Sequence, residues 1–324
     1  MASMQWSELS SEESSLVKEA LPVSRINDLV RYDGGVVVTR GFTKIADRLR
    51  NFTLRDDDIW ILTFPKCGTT WAQETVSMLI NDGDPAVSSI PLALRSPFLE
   101  LGAILGDTTD NLSSLPPAVA QVRRDPLTYA ENLTGRRVLK VHMPPEFLPP
   151  DLTKRCKVIY VARDPRDVCV SYFNHYQVMP GHGYVGNFSQ FAKLFQNGLL
   201  LFGDFWHHLL SGWRMRDEPN VKFLWFKDMK LNQRGVIEEL SQFLNHPVTA
   251  TTIDVLENHL KFDNMRNNPK VNPTAGLNLK SDFMRKGEVS LINLILDTSI
   301  IHRWATGRTS FLMKSPSNGQ TGSK

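Results

Sequence analysis

A short apolar strand followed by a glycine turn and a helix constrains this chain more than any other stretch. Ile59 to Thr63 is an apolar run typical of a buried parallel strand. From Thr70 onward, apolar residues cluster as in a half-buried helix. The turn between them reads Phe64-Pro65-Lys66-Cys67-Gly68-Thr69-Thr70. This pattern favours phosphate binding, because backbone N–H groups and the positive helix N-terminus face the anion while the lysine adds a full charge.

The turn is not a Walker A loop, in which the lysine directly follows the last glycine and precedes Ser or Thr. Here Lys66 comes before Gly68. A nucleoside or nucleotide kinase is therefore an alternative that only the strand-loop-helix supports. The structural alternative is a strand-turn-helix with an incidental lysine.

Further strands and helices alternate along the chain. Strands are predicted at Arg137 to Val141, Lys157 to Ala162 and Val221 to Phe226. A helix is predicted to begin after Asp164, a good N-cap followed by a proline. The alternation predicts one α/β domain with a central parallel β-sheet flanked by helices and a P-loop-like loop. Residues 85–135 show little periodicity and are expected to be irregular.

Composition and local signals divide the chain into three parts. Residues 1–35 are predicted to form a partly ordered N-terminal arm that ends in the turn Asp33-Gly34-Gly35. Residues 36–310 are predicted to form the main folded domain. Residues 311–324, which contain the polar stretch SPSNGQTGSK, are predicted to be a disordered tail.

The bulk composition is that of an ordinary globular protein. The chain has 324 residues, of which 41% are hydrophobic and 22% charged, with a formal net charge of +3. An anionic small ligand accounts for this charge, so no nucleic-acid partner is expected. The three cysteines make neither a disulfide framework nor a metal cluster. The polar N-terminus is no signal peptide and no apolar run is long enough to span a bilayer, so we expect a cytoplasmic protein without a membrane partner.

His142 is the best candidate for a catalytic base. It follows a predicted strand, and the strand period of two places it on the same face as Lys140. A histidine with a pKa near neutrality can take a proton from an alcohol or a phenol. The alternative is a structural histidine, the commoner role of a single histidine.

Two basic constellations indicate further anion sites. Arg163 precedes the helix cap, and Ser171 lies about two turns into the same helix. Arg285-Lys286-Gly287 can clamp a phosphate through charge and a backbone N–H. Because ligands bind at the carboxyl ends of parallel strands, one crevice can hold Lys66, His142 and Arg163.

Taken together, these segments resemble the cytosolic sulfotransferase family. The resemblance lies in the loop 64–71, in Lys140-Val141-His142, in RDPRDVCVSYFNHY from Arg163 and in FMRKG at 283–287. Their order and spacing match from about residue 40 to residue 288, and HLKFDNMRNNPKVN from His259 looks most like arthropod members. The loop at 64–71 would then be a phosphosulfate-binding loop.

The resemblance implies transfer of a sulfuryl group from 3′-phosphoadenylyl sulfate (PAPS) to a small-molecule hydroxyl, with adenosine 3′,5′-bisphosphate (PAP) as product and no metal. It implies that Lys66, Lys140 and the base His142 are catalytic, and that Phe98 lines the acceptor pocket beside His142. The residues implied to bind the nucleotide are Lys66, Gly68, Thr69, Thr70, Trp71, Arg163, Ser171, Phe226, Phe262, Arg285, Lys286 and Gly287.

Two departures from the family pattern leave alternatives open. Phe226 stands where the family usually has a tyrosine that meets the adenine. From Ser290 onward an apolar sequence replaces the family's usual Gly-Asp-Trp-Lys and dimer segment, so a homodimer stays possible but its segment is not recognisable. A catalytically impaired nucleotide binder is therefore the alternative function, and a member that dehydrates its alcohol after sulfation is a further variant.

Cys67 adds a redox hypothesis. It lies beside Lys66 at a predicted helix N-terminus, and both features lower the pKa of a thiol. The competing hypothesis is a small residue that fills a tight turn.

Overall fold

The computed structural model describes residues 4–24, 26–105, 115–179, 181–272 and Met284. Seven strands lie in this part of the chain: Trp6–Glu8 (β1), Leu29–Tyr32 (β2), Val37–Thr39 (β3), Ile59–Thr63 (β4), Val138–Val141 (β5), Lys157–Ala162 (β6) and Val221–Trp225 (β7). Strands β1, β2 and β3 form an antiparallel sheet in that order. Strands β4 to β7 form a parallel sheet in the order β5-β4-β6-β7.

The α-helices of the described residues are Ser11–Ala20 (α1), Ala46–Arg50 (α2), Thr69–Leu79 (α3), Pro85–Ser88 (α4), Leu92–Arg95 (α5), Leu101–Leu105 (α6), Pro117–Arg124 (α7), Pro126–Asn132 (α8), Leu152–Arg155 (α9), Pro165–Val178 (α10), Phe188–Gln196 (α11), Phe205–Arg214 (α12), Phe226–Leu231 (α13), Gln233–Phe243 (α14), Ala250–His259 (α15) and Phe262–Asn267 (α16). Arg40–Lys44 and Pro145–Phe147 are 3₁₀ turns. None of the helices in these ranges is long and apolar enough to cross a bilayer.

The predicted parallel sheet is confirmed. Strand β4 lies between β5 and β6, and all five of its residues are buried, as its apolar sequence indicates. Strand β7 ends at Trp225, one residue before the prediction, because Phe226 already belongs to helix α13.

The sheet is covered on both faces. Ile59 and Ile61 of β4 join one core cluster with residues of α3, α14 and α15. Trp60 points to the other face, where its ring meets Phe52 edge-on. The carboxyl ends of the strands are left at one edge, where the loops after β4, β5 and β6 meet.

The described part of residues 85–135 is more regular than predicted. Helices α4 to α8 lie there, each of four to eight residues. Asp84 and Asp125 cap two of them, each followed by a proline in the first turn. Helices of one or two turns are too short to show a hydrophobic period, so periodicity does not reveal them.

The predicted turn after residue 32 lies between β2 and β3, and Gly34 and Gly35 both have the positive φ that such a turn requires. The proposed tail and the divergent segment after Ser290 lie outside the described residues.

Candidate active site

The loop between β4 and α3 presents a helix N-terminus without a side-chain cap. Gly68 is the N-cap of α3, has φ +105°, and no side chain caps the first amides. Lys66 also has a positive φ, of 71°, which is uncommon for a residue with a side chain. The first N–H groups of α3 therefore point out of the loop, as an anion site requires.

Three basic side chains converge on this loop. The Arg163 guanidinium donates to the Lys66 carbonyl oxygen at 3.0 Å. Burial, followed by the positive charges of Arg163 and Lys140, lowers the pKa of Lys66 to about 7. Burial lowers the pKa of Lys140 to about 8, against the opposing effect of the Glu100 carboxylate. The crevice is thus electropositive, and an anion placed in it would be stabilised.

His142 lies at the end of β5 with one ring nitrogen fixed by β4. Its Nδ1 is 2.7 Å from the carbonyl oxygen of Thr63 and 3.2 Å from the Thr63 hydroxyl. Because a carbonyl oxygen can only accept, Nδ1 carries the proton, and Nε2 of the neutral ring is the proton acceptor. Burial, followed by the charge of Lys140, holds the pKa of His142 well below its usual value.

Aromatic rings surround this imidazole. The Phe98 ring centroid is 4.9 Å from that of His142, and the Phe202 ring centroid is 5.3 Å away. Lys140 Nζ lies 3.9 Å from the centroid of the Phe98 ring, a cation–π contact. Phe98 therefore contacts both Lys140 and His142, as its predicted place beside the acceptor requires.

Phe226, in the first turn of α13, lies against Gly68 in the loop between β4 and α3. Its ring lies 4.3 Å from the guanidinium carbon of Arg163. A Cβ atom at Gly68 would lie only 2.6 Å from the same ring. The ring therefore links the loop to the cap of α10, where Asp164 accepts from the Arg166 amide as predicted.

The remaining predicted site residues have fewer contacts with the group formed by Lys66, Lys140, His142 and Arg163. Thr69 and Thr70 open α3, and Trp71 packs partly buried against the core cluster. In the described part of the chain, Ser171 and Phe262 have no hydrogen bond or ring contact to this group. Ser171 lies in the second turn of α10, and Phe262 opens α16 with Lys230 5.8 Å from its ring. Arg285, Lys286 and Gly287 lie outside the described residues.

The expectation of a lowered thiol pKa at position 67 is contradicted by the structure. Cys67 is only 1% exposed, and burial raises the pKa of its thiol to about 12, which outweighs the lowering effect of Arg163. The sequence shows the helix N-terminus and the lysine, but not that the thiol side of the turn faces the core. Cys67 is a small residue in a tight turn.

Sequence reasoning missed four buried residues around His142 at the end of β5. Thr63 joins Thr69 by a 2.6 Å contact between their hydroxyl oxygens. Glu100 accepts from the backbone N–H of His142, and His208 lies 3.1 Å from the carbonyl oxygen of His142. Phe202 flanks the ring. Of these four residues, only Glu100 could be noticed in the sequence, as the acidic residue that ends the compact apolar segment Arg95-Ser96-Pro97-Phe98-Leu99-Glu100.

Comparison with known proteins identifies the family. The model of the sulfotransferase domain matches residues 56–293, which is more than half of the chain. The chain belongs to the sulfotransferase family. The predicted family, fold and enzyme class are therefore confirmed, and a chain that only binds the nucleotide is not favoured.

Two curated sulfotransferases are similar in sequence to this chain. It is 36% identical over 236 residues to luciferin sulfotransferase of Photinus pyralis, covering 71% of this chain and 62% of that protein. It is 33% identical over 260 residues to human sulfotransferase 1E1, covering 78% of this chain and 83% of that one. The matched stretch thus spans less than two thirds of the insect protein. A likeness to an arthropod member agrees with the resemblance seen in the sequence.

Two solved structures of retinol dehydratase share the fold over nearly the whole chain. The complex with androsterone and PAP has a TM-score of 0.84 at 27% identity, and covers 97% of this chain and 98% of that one. The complex with retinol and PAP has a TM-score of 0.83 at 26% identity, and covers 96% and 99%.

Proposed function

We propose that this chain transfers the sulfuryl group of PAPS to a hydroxyl group of a small molecule, with His142 as general base. The observation that carries this proposal is the 2.7 Å contact from His142 Nδ1 to the Thr63 carbonyl oxygen. It makes Nε2 the proton acceptor in a crevice lined by Lys66, Lys140 and Arg163.

In this reaction the acceptor oxygen forms its bond to sulfur while its proton passes to Nε2 of His142. The bond between sulfur and the bridging phosphate oxygen breaks, and PAP leaves with the additional negative charge on that oxygen. Lys66 neutralises this charge and Lys140 stabilises the transferring group. Removal of one such electrostatic donor typically lowers the rate on the order of a hundredfold or more.

The proposed donor site fits the residues present. The uncapped start of α3, with Gly68, Thr69 and Thr70, would hold the 5′-phosphate, since its amides and dipole favour an anion. The proposed contacts of the adenine are Trp71, Phe226 and Phe262, and those of the 3′-phosphate are Arg163, Ser171, Arg285, Lys286 and Gly287. PAP bound to the retinol dehydratase structures supports this nucleotide.

The proposed acceptor is a phenol, an alcohol or a steroid-like hydroxyl compound. Phe98 and Phe202 provide an aromatic wall beside His142. The relatives' names and structure titles mention luciferin, retinol and androsterone, all of them small molecules. The same proposal places the protein in the cytoplasm, without a nucleic-acid partner, a membrane partner or a metal. Its domain covers residues 36–310, and a homodimer stays possible.

The test is transfer of labelled sulfate from PAPS to a panel of phenols, steroids and primary alcohols. We expect transfer to at least one of them, with PAP released in equal amount. PAP binding measured by calorimetry without any transfer would instead support the nucleotide-binding alternative. Absence of PAP binding would contradict both.

A His142→Ala variant tests the base. General base catalysis contributes about 10²–10⁴-fold, so turnover should fall by that factor while PAP still binds. His246→Ala is the matched control, because His246 is paired with Asp82 on the surface. Full turnover in the His142→Ala variant would refute the assignment.

The likeness to retinol dehydratase favours a second candidate, loss of water from the alcohol after its sulfation. Mass spectrometry of the product separates the two. A sulfate ester supports simple transfer, and an alkene with release of free sulfate supports dehydration.

A further inference from the structure

His142 directly follows the edge strand of the parallel sheet. Strand β5 lies at the edge of the parallel sheet and pairs with β4 on one side only. On its other side, the segment before α6 pairs through its backbone. The Lys140 N–H donates to the Pro97 carbonyl oxygen, and the Leu99 N–H donates to the Lys140 carbonyl oxygen, each at 3.0 Å. This pairing stops before His142.

The Glu100 side chain continues the pairing where the backbone ends. Its Oε1 accepts from the N–H of His142 at 2.7 Å and from the N–H of Met143 at 2.9 Å. Both residues are buried, so their amides would otherwise lack a partner at some energetic cost. One carboxylate oxygen thus holds the peptide groups on both sides of the histidine Cα.

A second buried side chain, His208, contacts the carbonyl group of the same residue. His208 Nε2 lies 3.1 Å from the His142 carbonyl oxygen and must donate to it. The hydroxyl of Tyr160 holds His208 in turn, because it donates to the His208 carbonyl oxygen at 2.8 Å and lies 2.7 Å from His208 Nδ1. With Thr63 holding the ring, the side chain and both peptide groups of His142 are fixed.

The Glu100 carboxyl group is unusual because it is fully buried and, among the residues that the structure describes, only one of its two oxygens has a hydrogen-bond partner. It is 0% exposed, and in the described ranges its Oε2 has no hydrogen-bond partner. Burial raises its pKa to about 7, although the backbone N–H groups of His142, Met143 and Glu100 itself and the charge of Lys140 oppose this. A buried, half-satisfied carboxyl is costly.

We propose that Glu100 is the positioning residue of the catalytic base, which it holds through the amides of His142 and Met143. This inference rests on the proposed function, because it assigns Glu100 a part in proton transfer. A displacement of about 1 Å in a reacting group can lower the rate on the order of a hundredfold.

The test compares E100M, which cannot accept a hydrogen bond, with E100Q, whose amide oxygen can. We expect kcat to fall on the order of a hundredfold in E100M while the dissociation constant of PAP stays unchanged, and E100Q to restore kcat. L127A is the matched control, since Leu127 is buried in α8 away from the site. It should lower the Tm without lowering kcat.

Hydrogen–deuterium exchange gives a readout that needs no activity. The amides of His142 and Met143 should exchange faster in E100M than in wild type, and at the wild-type rate in E100Q. Unchanged exchange in E100M, wild-type kcat in E100M, or an equal loss of kcat in E100Q would each overturn the proposal. If wild type transfers no sulfate, the proposed function fails, and the exchange arm still decides whether Glu100 holds His142.

Discussion

Gly68 carries two separate constraints at the start of α3. Its φ of +105° lies in the region that L-residues avoid, and a Cβ atom there would lie 2.6 Å from Cδ2 of Phe226. Gly35 has a similar φ of +95°, but nothing lies within 4 Å of its Cβ position. A side chain at Gly35 would therefore cause backbone strain alone, whereas one at Gly68 would cause both strain and a steric clash.

Gly68→Ala should lower both the free energy of unfolding and the affinity for PAP. The backbone strain alone costs about 1–3 kcal/mol, and displacement of Phe226 adds to it. Urea denaturation and calorimetry measure the two effects. Gly35→Ala should show only the strain and keep PAP affinity; equal losses in both variants would show that the contact with Phe226 has no role.

The lowered pKa values of Lys66 and Lys140 predict proton uptake on anion binding. These pKa values are about 7 and about 8 in the fold, whereas an unfolded lysine titrates near ~10.4. Between those limits the folded chain holds fewer protons than the unfolded chain, so this contribution to stability rises with pH. A bound bisphosphate reverses the shift because it favours the charged amines.

At about pH 8, PAP binding should therefore take up protons, and affinity should fall as the pH rises further. Calorimetry in two buffers of different ionisation enthalpy measures the uptake. Lys66→Met should reduce it, while Lys222→Met, which removes a surface amine paired with Glu239, should not. The same heat in both buffers would argue against a lowered lysine pKa.

At the scale of elements, one buried carboxylate holds three helices together. Glu74 of α3 is 0% exposed and lies 2.7 Å from Arg95 of α5. His259 at the end of α15 approaches the other carboxylate oxygen at 2.7 Å. Helix α3 starts at the phosphate loop, α5 precedes Phe98, and α15 precedes Phe262, so this contact joins the proposed donor and acceptor walls.

Arg95→Met should cost about 3–5 kcal/mol, because it leaves the Glu74 charge buried without its main partner. The double variant Glu74→Met with Arg95→Met should recover part of that loss, since no charge stays behind. Lys222→Met, at a half-exposed ion pair, is the control and should cost about 1 kcal/mol or less. Denaturant unfolding measures all three, and a double variant less stable than Arg95→Met would contradict this account.

For the whole molecule, PAP should act as a stabiliser. A ligand that binds only the folded chain adds about 2.7 kcal/mol at a hundred times its dissociation constant. The melting temperature should rise by several degrees in a thermal shift assay. Adenosine, which lacks both phosphates, is the control, and an equal shift with adenosine would contradict an anion-centred site.

The sheet and the loop could be predicted because their signals are local. Strands β4 and β6 have the predicted bounds, since β4 is a fully buried apolar run and β6 is buried and apolar after its first residue, Lys157. Asp164 and Pro165 mark the start of α10 by cap chemistry alone. The neighbourhood of Lys66, His142 and Arg163 followed from the rule that the carboxyl ends of parallel strands share an edge.

What the sequence hid depends on side-chain direction and on contacts far apart in the chain. The Cys67 thiol faces the core, a fact that no spacing reveals. Glu100 reaches a backbone 42 residues away in the sequence, and His208 one 66 residues away. Such partners have no period or motif, so only the folded chain identifies them.

Thr63 gives the site a common anchor. Its carbonyl oxygen holds the ring of His142, and its hydroxyl contacts Thr69 at the start of α3. The proposed base and the proposed anion loop thus both contact a single residue of the central strand. Changes in the short helices near the proposed acceptor site should therefore alter which alcohol enters while the distance between His142 and the start of α3 stays constant.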